Sequence, residues 1–248
     1  AQPHWPDDEA AEVCAVRCER ESDEMSGKLI VFEGIDGCGK STQFRLLCER
    51  CRAEGLEFRN IVFPRYDKDS SALIRMYLNG EFGKSPSDVN AYAASTFYAV
   101  DRYASFVTDW GDAYKAGEVI LSDRYTTSNA VHQGCKLPEA QLSQFFDWLY
   151  DLEYNRMELP KPDLVLYLDV DVETSLSRMA QRRAEDGSSA DIHEKDARYL
   201  AQCLELGHKA AAHYGWTVID FRKAGAIRSA EEKHEEIYRI VKEVLAGA

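Results

Sequence analysis

The chain has 248 residues, of which 45% are hydrophobic, and its formal net charge at pH 7 is −13. This size and composition suit one α/β domain with a sizeable core. No apolar run approaches the ~20 residues that a membrane-spanning helix needs, and the negative charge argues against a nucleic-acid backbone or an anionic membrane as a partner. An anionic substrate would therefore need a local group of arginines.

The first 24 residues differ in composition from the rest of the chain. They contain eight acidic residues and two arginines, which leaves a formal charge of −7 for the remainder. They show no amphipathic period and no apolar signal segment, so we expect residues 1–24 to be an acidic, disordered extension before one domain over 25–248. The seven cysteines form no regular framework and suit free thiols, so we expect a cytoplasmic protein.

Strand-like and helical patterns alternate along the domain. Short apolar segments predict five strands, at 28–33, 58–63, 118–122, 163–170 and 217–220. Helical patterns lie at 41–54, 70–79, 87–115, 138–157, 172–184, 194–213 and 230–246. This alternation predicts an α/β fold in which helices flank a parallel five-stranded sheet and ligands bind at the carboxyl ends of the strands.

A phosphate-binding loop follows the first predicted strand. Residues 34–42 match G-x-x-x-x-G-K-[ST] and lead into a predicted helix, which is the context this motif requires. Lys40 would reach the β- and γ-phosphates of a nucleoside triphosphate, and the Ser41 hydroxyl would ligate Mg²⁺. The predicted nucleotide-binding residues are Gly34, Ile35, Asp36, Gly37, Cys38, Gly39, Lys40, Ser41 and Thr42. The loop and the alternating elements together predict a fold of the P-loop NTPase type.

Functional side chains are also expected where two other strands end. Asp123 and Arg124 follow the third predicted strand, where the aspartate suits a Mg²⁺ shell and the arginine suits a transferring phosphoryl group. An ordinary ion pair at a strand edge is the alternative interpretation. The second strand ends at Phe63 and Pro64, which suit either a substrate contact or a plain break between strand and loop.

Two predicted helices carry further candidate residues. Tyr98 and Arg102 share one helix face, so the ring could stack on a base while the guanidinium donates to it; an ordinary surface contact is the alternative. Three arginines precede a Gly/Ser-rich stretch that is typical of a short mobile lid, although a solvated basic face is an equal alternative. They are Arg178, Arg182 and Arg183, and the stretch is 184–190.

Several motifs occur in the order of one known family. They are the segments 32–43, 63–64, 98–102, 123–129, 132–134 and 159–169. In these segments the chain resembles the thymidylate kinase family; the resemblance covers nearly all of 28–246 and does not cover 1–24. It implies transfer of the γ-phosphoryl group of ATP to dTMP, a requirement for Mg²⁺, and a homodimer packed through helices.

The resemblance also implies roles for individual residues. Tyr98 would stack on thymine while Arg102 donates to the thymine O4, an acceptor that suits a side chain with donors only. Arg124 would bind the acceptor phosphate. Asp36 would contact the acceptor at its sugar 3′-hydroxyl or near its phosphate, and Asn129 would hydrogen-bond the edge of the base. The remaining implied substrate contacts are Phe63, Pro64 and His132. Lys40, Asp36 and Arg124 would act in catalysis together with the lid arginines Arg178, Arg182 and Arg183, which close over the ATP phosphates.

Some positions depart from the family pattern. One branch of the family has an arginine at the position of Gly37. Because this chain lacks that arginine, it resembles the other branch, in which arginines of the lid take over its role. In family members with a Phe-Pro-x-Arg turn, the arginine stands at the position that Tyr66 occupies here, one residue after Arg65. Arg75 therefore competes with Arg65 as the residue that would bind the acceptor phosphate. Cys38 lies within the phosphate loop, and we expect the helix dipole to lower the pKa of its thiol.

Two rival functions fit part of this pattern. A related P-loop kinase could act on a deoxynucleoside or on another nucleoside monophosphate, and an acceptor screen separates these activities. A nucleotide-dependent switch or binding module would perform no transfer. The chain has no N-K-x-D guanine signature, and such a module would leave the lid arginines without a purpose, so we expect a dTMP kinase.

Overall fold

The computed structural model describes residues 27–186, 197–223 and 225–247. The predicted N-terminal extension, residues 187–190 of the predicted lid and the start of the helix predicted over 194–213 lie outside these ranges. The central strands are β1 Leu29–Glu33, β2 Phe58–Val62, β3 Val119–Asp123, β4 Leu164–Leu168 and β5 Thr217–Ile219. Over the described residues they form a parallel five-stranded sheet in the order β2-β3-β1-β4-β5, which confirms the predicted fold class.

Helices connect the strands and flank the sheet. They are α1 Lys40–Ala53, α2 Ala72–Leu78, α3 Ala91–Ser105, α4 Gly111–Lys115, α5 Thr127–His132, α6 Leu142–Tyr150, α7 Val172–Asp186, α8 Ala197–Tyr214 and α9 Ala230–Ala246. A two-stranded hairpin, β6 Arg222–Lys223 with β7 Ala226–Ile227, precedes α9. No helix within the described ranges has the length and apolar character needed to cross a membrane.

The apolar strands are buried on both faces of the sheet. In β1, Ile30 and Phe32 belong to one apolar cluster, whereas Leu29 and Val31 belong to another. Successive side chains of a strand point to opposite faces, so each face of the sheet has its own core. This explains why β1 and β4 read as continuous apolar runs, and it leaves the carboxyl ends of the strands as the place for polar side chains.

The helix predicted over 87–115 is interrupted in the structure. It begins at Ala91, because the Oδ1 of Asn90 accepts a hydrogen bond from the N–H of Ala93 at 2.9 Å. A π-helical turn, Phe106–Trp110, separates α3 from α4. The wider turn shifts the helical register, and the fully buried Trp110 packs with Tyr125 in the second core cluster.

Two other local elements also differ from the predicted pattern. The segment predicted as a helix over 138–157 contains a second π-helical turn, Asp151–Arg156, which carries the fully buried Glu153. The short helix α5, directly after β3, was not predicted, because six residues are too few to show a helical period. Both elements supply residues to the candidate active site.

Candidate active site

The phosphate-binding loop connects β1 to α1. Gly34 and Gly37 have positive φ angles of 147° and 75°, and a Cβ atom on them would lie 2.8 Å from the carbonyl oxygen of Leu168 and 2.5 Å from that of Ser175. Only glycine fits these two positions without a backbone shift. The Nζ atom of Lys40, at the start of α1, donates to the carbonyl oxygen of Gly34 at 2.8 Å. The lysine charge is therefore held over the loop.

A cavity of about 340 Å³ lies beside this loop, which is within the size range of roughly 300–1,000 Å³ for ligand sites. The candidate residues that line it are Asp36, Lys40, Ser41, Phe63, Pro64, Tyr98, Arg102, Asp123, Arg124, Asn129, His132 and Arg182. Lining residues outside the candidate set are Val62, Tyr66, Leu78, Tyr125, Ser128 and Gln133. The fold thus brings the phosphate loop, the end of β3 and the polar face of α3 to one cavity.

The two arginines that compete for the acceptor phosphate do not line this cavity within the described residues. The guanidinium of Arg75 donates to the carbonyl oxygen of Tyr66 at 2.8 Å and to the hydroxyl of Ser71 at 2.7 Å. Arg65 donates to the hydroxyl of Ser105 at 2.9 Å. Arg75 therefore orders the loop that carries Tyr66, and it is Tyr66 that lines the cavity.

Arg124 is the centre of a charged network. Its Nη2 donates to the Oδ1 of Asp36 at 2.6 Å, and its Nη1 contacts Glu33 at 3.4 Å and the Nε2 of His132 at 3.0 Å. Burial lowers the pKa of Arg124, but the negative charges of Asp36, Glu33 and Asp123 outweigh burial and raise it. Arg124 therefore remains a fixed positive charge in the cavity wall.

Glu33 connects three segments of this site. It is fully buried and accepts hydrogen bonds from the N–H of Gly34 at 2.8 Å, the hydroxyl of Thr127 at 2.7 Å and that of Ser128 at 2.6 Å. Together with its contact to Arg124, this links the phosphate loop, the end of β3 and the start of α5. Glu33 is not among the predicted site residues, because the side chains that hold it lie 91 to 95 positions away in the chain.

Arg102 is held by a second buried carboxylate. Its Nε and Nη2 donate to the two oxygens of Glu153 at 2.7 and 2.6 Å, and its Nη1 donates to the carbonyl oxygen of Tyr125 at 3.2 Å. The side-chain amide of Asn129 donates to the same carboxylate at 3.0 Å. Burial lowers the pKa of Arg102, but the charge and hydrogen bonds of Glu153, together with smaller contributions from Tyr125 and Tyr154, outweigh burial and raise it. Glu153 was not predicted, since nothing in the sequence distinguishes it among 43 acidic residues.

The cavity also contains aromatic and apolar surface. The half-buried Tyr98 lies one helical turn before Arg102 on α3. Phe63 and Pro64, which are joined by a cis peptide bond, line the same cavity. The site therefore combines a flat apolar surface with guanidinium groups, which suits a ligand that carries both an aromatic ring and negative charge.

Asp123 and Ser41 provide oxygen ligands that fit Mg²⁺. The Oδ1 of Asp123 is buried and has no hydrogen-bond partner within the described residues. Burial raises the pKa of Asp123, an effect that Lys40 and Arg124 only partly oppose. Since no group of three or more potential ligand residues occurs within the described ranges, a magnesium ion here would take its other ligands from phosphates and water, as Mg²⁺ commonly does.

The arginines of α7 occupy different places. The Nη1 of Arg178 donates to the carbonyl oxygen of Gly37 at 3.3 Å, and its guanidinium lies over the ring of Phe221 at 5.3 Å. Arg182 lines the cavity, and Arg183 does not within the described residues. Arg178 thus supports the phosphate loop from outside the cavity, while Arg182 contributes positive charge to its wall.

The prediction that the pKa of the Cys38 thiol is lowered is wrong. The thiol is 2% exposed, and burial raises its pKa more than the positive charge of Lys40 lowers it. The side chain packs beneath the phosphate loop, where a Cβ on Gly34 would lie 2.8 Å from the sulfur. Desolvation therefore outweighs the helix dipole, and the thiol is a packing group rather than an activated nucleophile.

Comparisons with known proteins agree with the motifs. A family model described as thymidylate kinase matches residues 32–237. The thymidylate kinase of Mycobacterium tuberculosis is 35% identical over 190 residues, which cover 76% of this chain and 87% of the relative. That of Pelotomaculum thermopropionicum is 30% identical over 226 residues, covering 89% and 95%. The structure of the Candida albicans enzyme shares the fold, with a TM-score of 0.67 at 22% identity over 89% of this chain and 93% of that one. The chain belongs to the thymidylate kinase family.

Proposed function

We propose that this chain transfers the γ-phosphoryl group of ATP to the 5′-phosphate of dTMP and forms dTDP. One observation carries the proposal: Lys40 and Ser41 of the phosphate loop line the same cavity as Tyr98 and Arg102. A phosphoryl transfer requires donor and acceptor to meet, and candidate residues for both occur in one cavity. Membership of the thymidylate kinase family supports the same reaction.

Charge neutralisation and alignment are the main tasks of the site. A phosphate monoester has a second pKa near ~6, so the acceptor oxygen is already deprotonated at neutral pH and no general base is needed. Lys40, Arg124 and Arg182 would offset the repulsion between two polyanions and align them. Because Asp36 and Glu33 already orient Arg124, little side-chain entropy remains to be lost when the acceptor binds.

Asp123 and Ser41 would hold Mg²⁺ together with the ATP phosphates. The buried Oδ1 of Asp123, which has no partner in the part of the chain that the structure describes, supports this assignment, because a buried oxygen without a donor favours a cation. The ion would neutralise part of the charge on the phosphates. Lys40, at the start of α1, would supply the next positive charge along the loop.

The base would be read by Arg102. A guanidinium has five N–H donors, and three of the Arg102 donors are used by Glu153 and Tyr125. As far as the described residues show, two donors therefore remain for an acceptor such as the O4 of thymine, and a guanidinium has no atom that can accept from the amino group of cytosine. The carboxylate of Glu153 fixes the plane of the guanidinium before the substrate binds.

An acceptor screen tests this function. ADP release from Mg·ATP should be fastest with dTMP, compared with dUMP, dCMP, dAMP, dGMP and thymidine. We expect kcat/KM for dCMP to be lower by roughly 5- to 150-fold, which corresponds to about 1–3 kcal/mol for one base contact. Fastest release with thymidine, or no release with any of the six, would contradict the proposal.

The protein would act as a homodimer. Val100, Tyr103 and Val107 follow one face along α3 and the π-helical turn after it, and they are 49%, 46% and 61% exposed. Large apolar side chains grouped on one helix face commonly mark a protein interface. We therefore assign this face, defined by these three residues, as the dimer contact.

Replacing Val107, the most exposed of the three, with glutamate should convert the dimer into a monomer, because it places a charge within an apolar contact. Sedimentation velocity at micromolar concentration measures this change. Ile227→Glu, at a position on the hairpin before α9 that is 56% exposed, is the matched control and should remain dimeric. A monomeric unmodified protein would rule out the assignment.

The described cysteines support the proposal of a cytoplasmic location. They are all free thiols, and they are Cys38, Cys48, Cys51, Cys135 and Cys203. Cys48 and Cys51 share one face of α1 and pack into the first core cluster. Their C-x-x-C spacing therefore reflects core packing, and free thiols of this kind persist in reducing compartments.

A further inference from the structure

Two cysteines lie next to each other behind the proposed acceptor site. Cys135 belongs to the short turn that follows α5, and Cys203 lies in the middle of α8. The thiol of Cys203 donates to the sulfur of Cys135, and the two sulfur atoms are 3.4 Å apart. A disulfide bond requires about 2.05 Å, so the sulfurs need to approach by only about 1.4 Å.

The two thiols differ in exposure and in the direction in which their surroundings shift the thiol pKa. Cys135 is partly exposed, and the hydrogen bond from Cys203 lowers its pKa, helped by the positive charge of Lys136. Cys203 is fully buried, and burial raises the pKa of its thiol. Cys135 is thus the accessible sulfur that reacts first, and Cys203 is the adjacent sulfur that can resolve the product.

A chain of contacts leads from this pair to Arg124. The Nη1 of Arg124 lies 3.0 Å from the Nε2 of His132, and an arginine can only donate, so Nε2 accepts and the ring proton is on Nδ1. The Nδ1 atom lies 3.7 Å from the sulfur of Cys203, so its N–H can donate to that sulfur. The thiol of Cys135 donates to the carbonyl oxygen of His132 at 3.2 Å. Both cysteines therefore contact the residue that supports Arg124.

We propose that Cys135 and Cys203 are a site of reversible oxidation by peroxides, and that the disulfide they form slows phosphoryl transfer by displacing His132 and, through it, Arg124. The effect on transfer rests on the proposed function. The formation of the disulfide does not, because it depends only on the two sulfur atoms and their surroundings.

The chemistry balances with one peroxide. The Cys135 thiolate attacks a peroxide oxygen, the O–O bond breaks, and hydroxide leaves and takes up the proton that Cys135 lost, which gives a sulfenic acid and one water. Cys203 then attacks the oxidised sulfur, the S–O bond breaks, and the thiol proton leaves with the hydroxyl as a second water. The two thiols lose two electrons, and the peroxide is reduced. A dithiol reductant restores both thiols by thiol–disulfide exchange.

Oxidation removes contacts that hold His132 in place. The disulfide has no S–H, so the hydrogen bond from Cys135 to the carbonyl oxygen of His132 is lost, while the hydrogen bond from the Tyr199 hydroxyl to that oxygen, at 2.6 Å, stays in place. The sulfur of Cys203 moves towards Cys135 and away from the Nδ1–H of His132. A shift of about 1 Å in a group that positions substrate costs up to roughly 100-fold in rate, so we expect a fall in kcat of roughly 10- to 100-fold.

The test treats the full chain with hydrogen peroxide, removes the excess with catalase, and maps the cross-link by non-reducing digestion and mass spectrometry. We expect a linked pair of peptides that contain Cys135 and Cys203, a lower kcat, and recovery with dithiothreitol. Peptide mapping is required because Cys14 and Cys18, outside the described residues, could also oxidise. In Cys203→Ala the ratio of kcat after and before peroxide should stay near one.

Two results would overturn the proposal. Absence of the 135–203 link in the unmodified protein would eliminate the site, and this readout holds even if Cys203→Ala does not fold. A link that forms while kcat is unchanged would eliminate the coupling to Arg124. If the link forms in a protein that does not phosphorylate dTMP, the proposed function fails while the oxidation site stands.

Discussion

Replacing Glu153 with glutamine should lower the free energy of unfolding by about 3–5 kcal/mol, because the change leaves the buried charge of Arg102 without its counter-charge. Glu153 and Arg102 are 0% and 1% exposed, so solvent has almost no access to the ion pair itself. The substitution keeps the size of the side chain and creates no cavity, so the loss of stability comes from the lost charge interaction. Urea unfolding followed by tryptophan fluorescence measures it.

Two control proteins sharpen this result. The double variant Arg102→Met with Glu153→Leu removes both charges and should recover most of the lost stability, while losing the preference for dTMP over dCMP. Glu139→Gln breaks a surface ion pair with Lys209 and should leave the urea midpoint unchanged. A Glu153→Gln protein with the midpoint of the unmodified protein would show that the buried pair is not a source of stability.

Replacing Arg124 with methionine should lower kcat by about 10³-fold or more, because the site loses the guanidinium that would stabilise charge on the transferring phosphoryl group. Arg124→Lys should recover only part of the rate, since an ammonium group provides a point charge without the planar fork. Initial rates at saturating ATP and dTMP measure kcat, and circular dichroism confirms that the variants are folded.

Arg156→Met is the matched control for this experiment. Arg156 is a 75% exposed side chain that pairs with Asp151 at the surface, away from the cavity lining, and its removal should leave kcat unchanged. An Arg124→Met enzyme with normal kcat and a raised KM for dTMP would mean that Arg124 only binds the ground state of the substrate. The role proposed here in the transfer step would then be wrong.

The sequence predicts those parts of the fold that depend on residues close together in the chain. The phosphate loop can be read from its glycines and the following lysine, and the buried strands from apolar runs between turns. The placement of Asp123 and Arg124 follows from a general rule, since the carboxyl ends of parallel strands meet at one edge of the sheet. These inferences need no knowledge of distant contacts.

The parts that the sequence does not predict depend on distant partners. The π-helical turn before Gly111 accompanies the packing of Trp110 against Tyr125, a contact between distant positions that a helical period alone does not reveal. Glu153 pairs with an arginine 51 positions earlier, and many other acids could have done so. For Cys38, dipole and burial act in opposite directions on the thiol pKa, and only the structure shows how completely the thiol is buried.

The pairing of Arg102 with Glu153 also constrains how these two positions can change in evolution. A single mutation that replaces either residue leaves a buried charge unpaired, and the cost of about 3–5 kcal/mol is a large share of the 5–15 kcal/mol that holds a typical domain folded. A lineage that replaces this pair must therefore pass through a poorly folded intermediate or change both positions at once. With Arg102 in its proposed role as the base-reading residue, selection for folding alone would preserve the preference for dTMP, even in generations when that preference is under no selection.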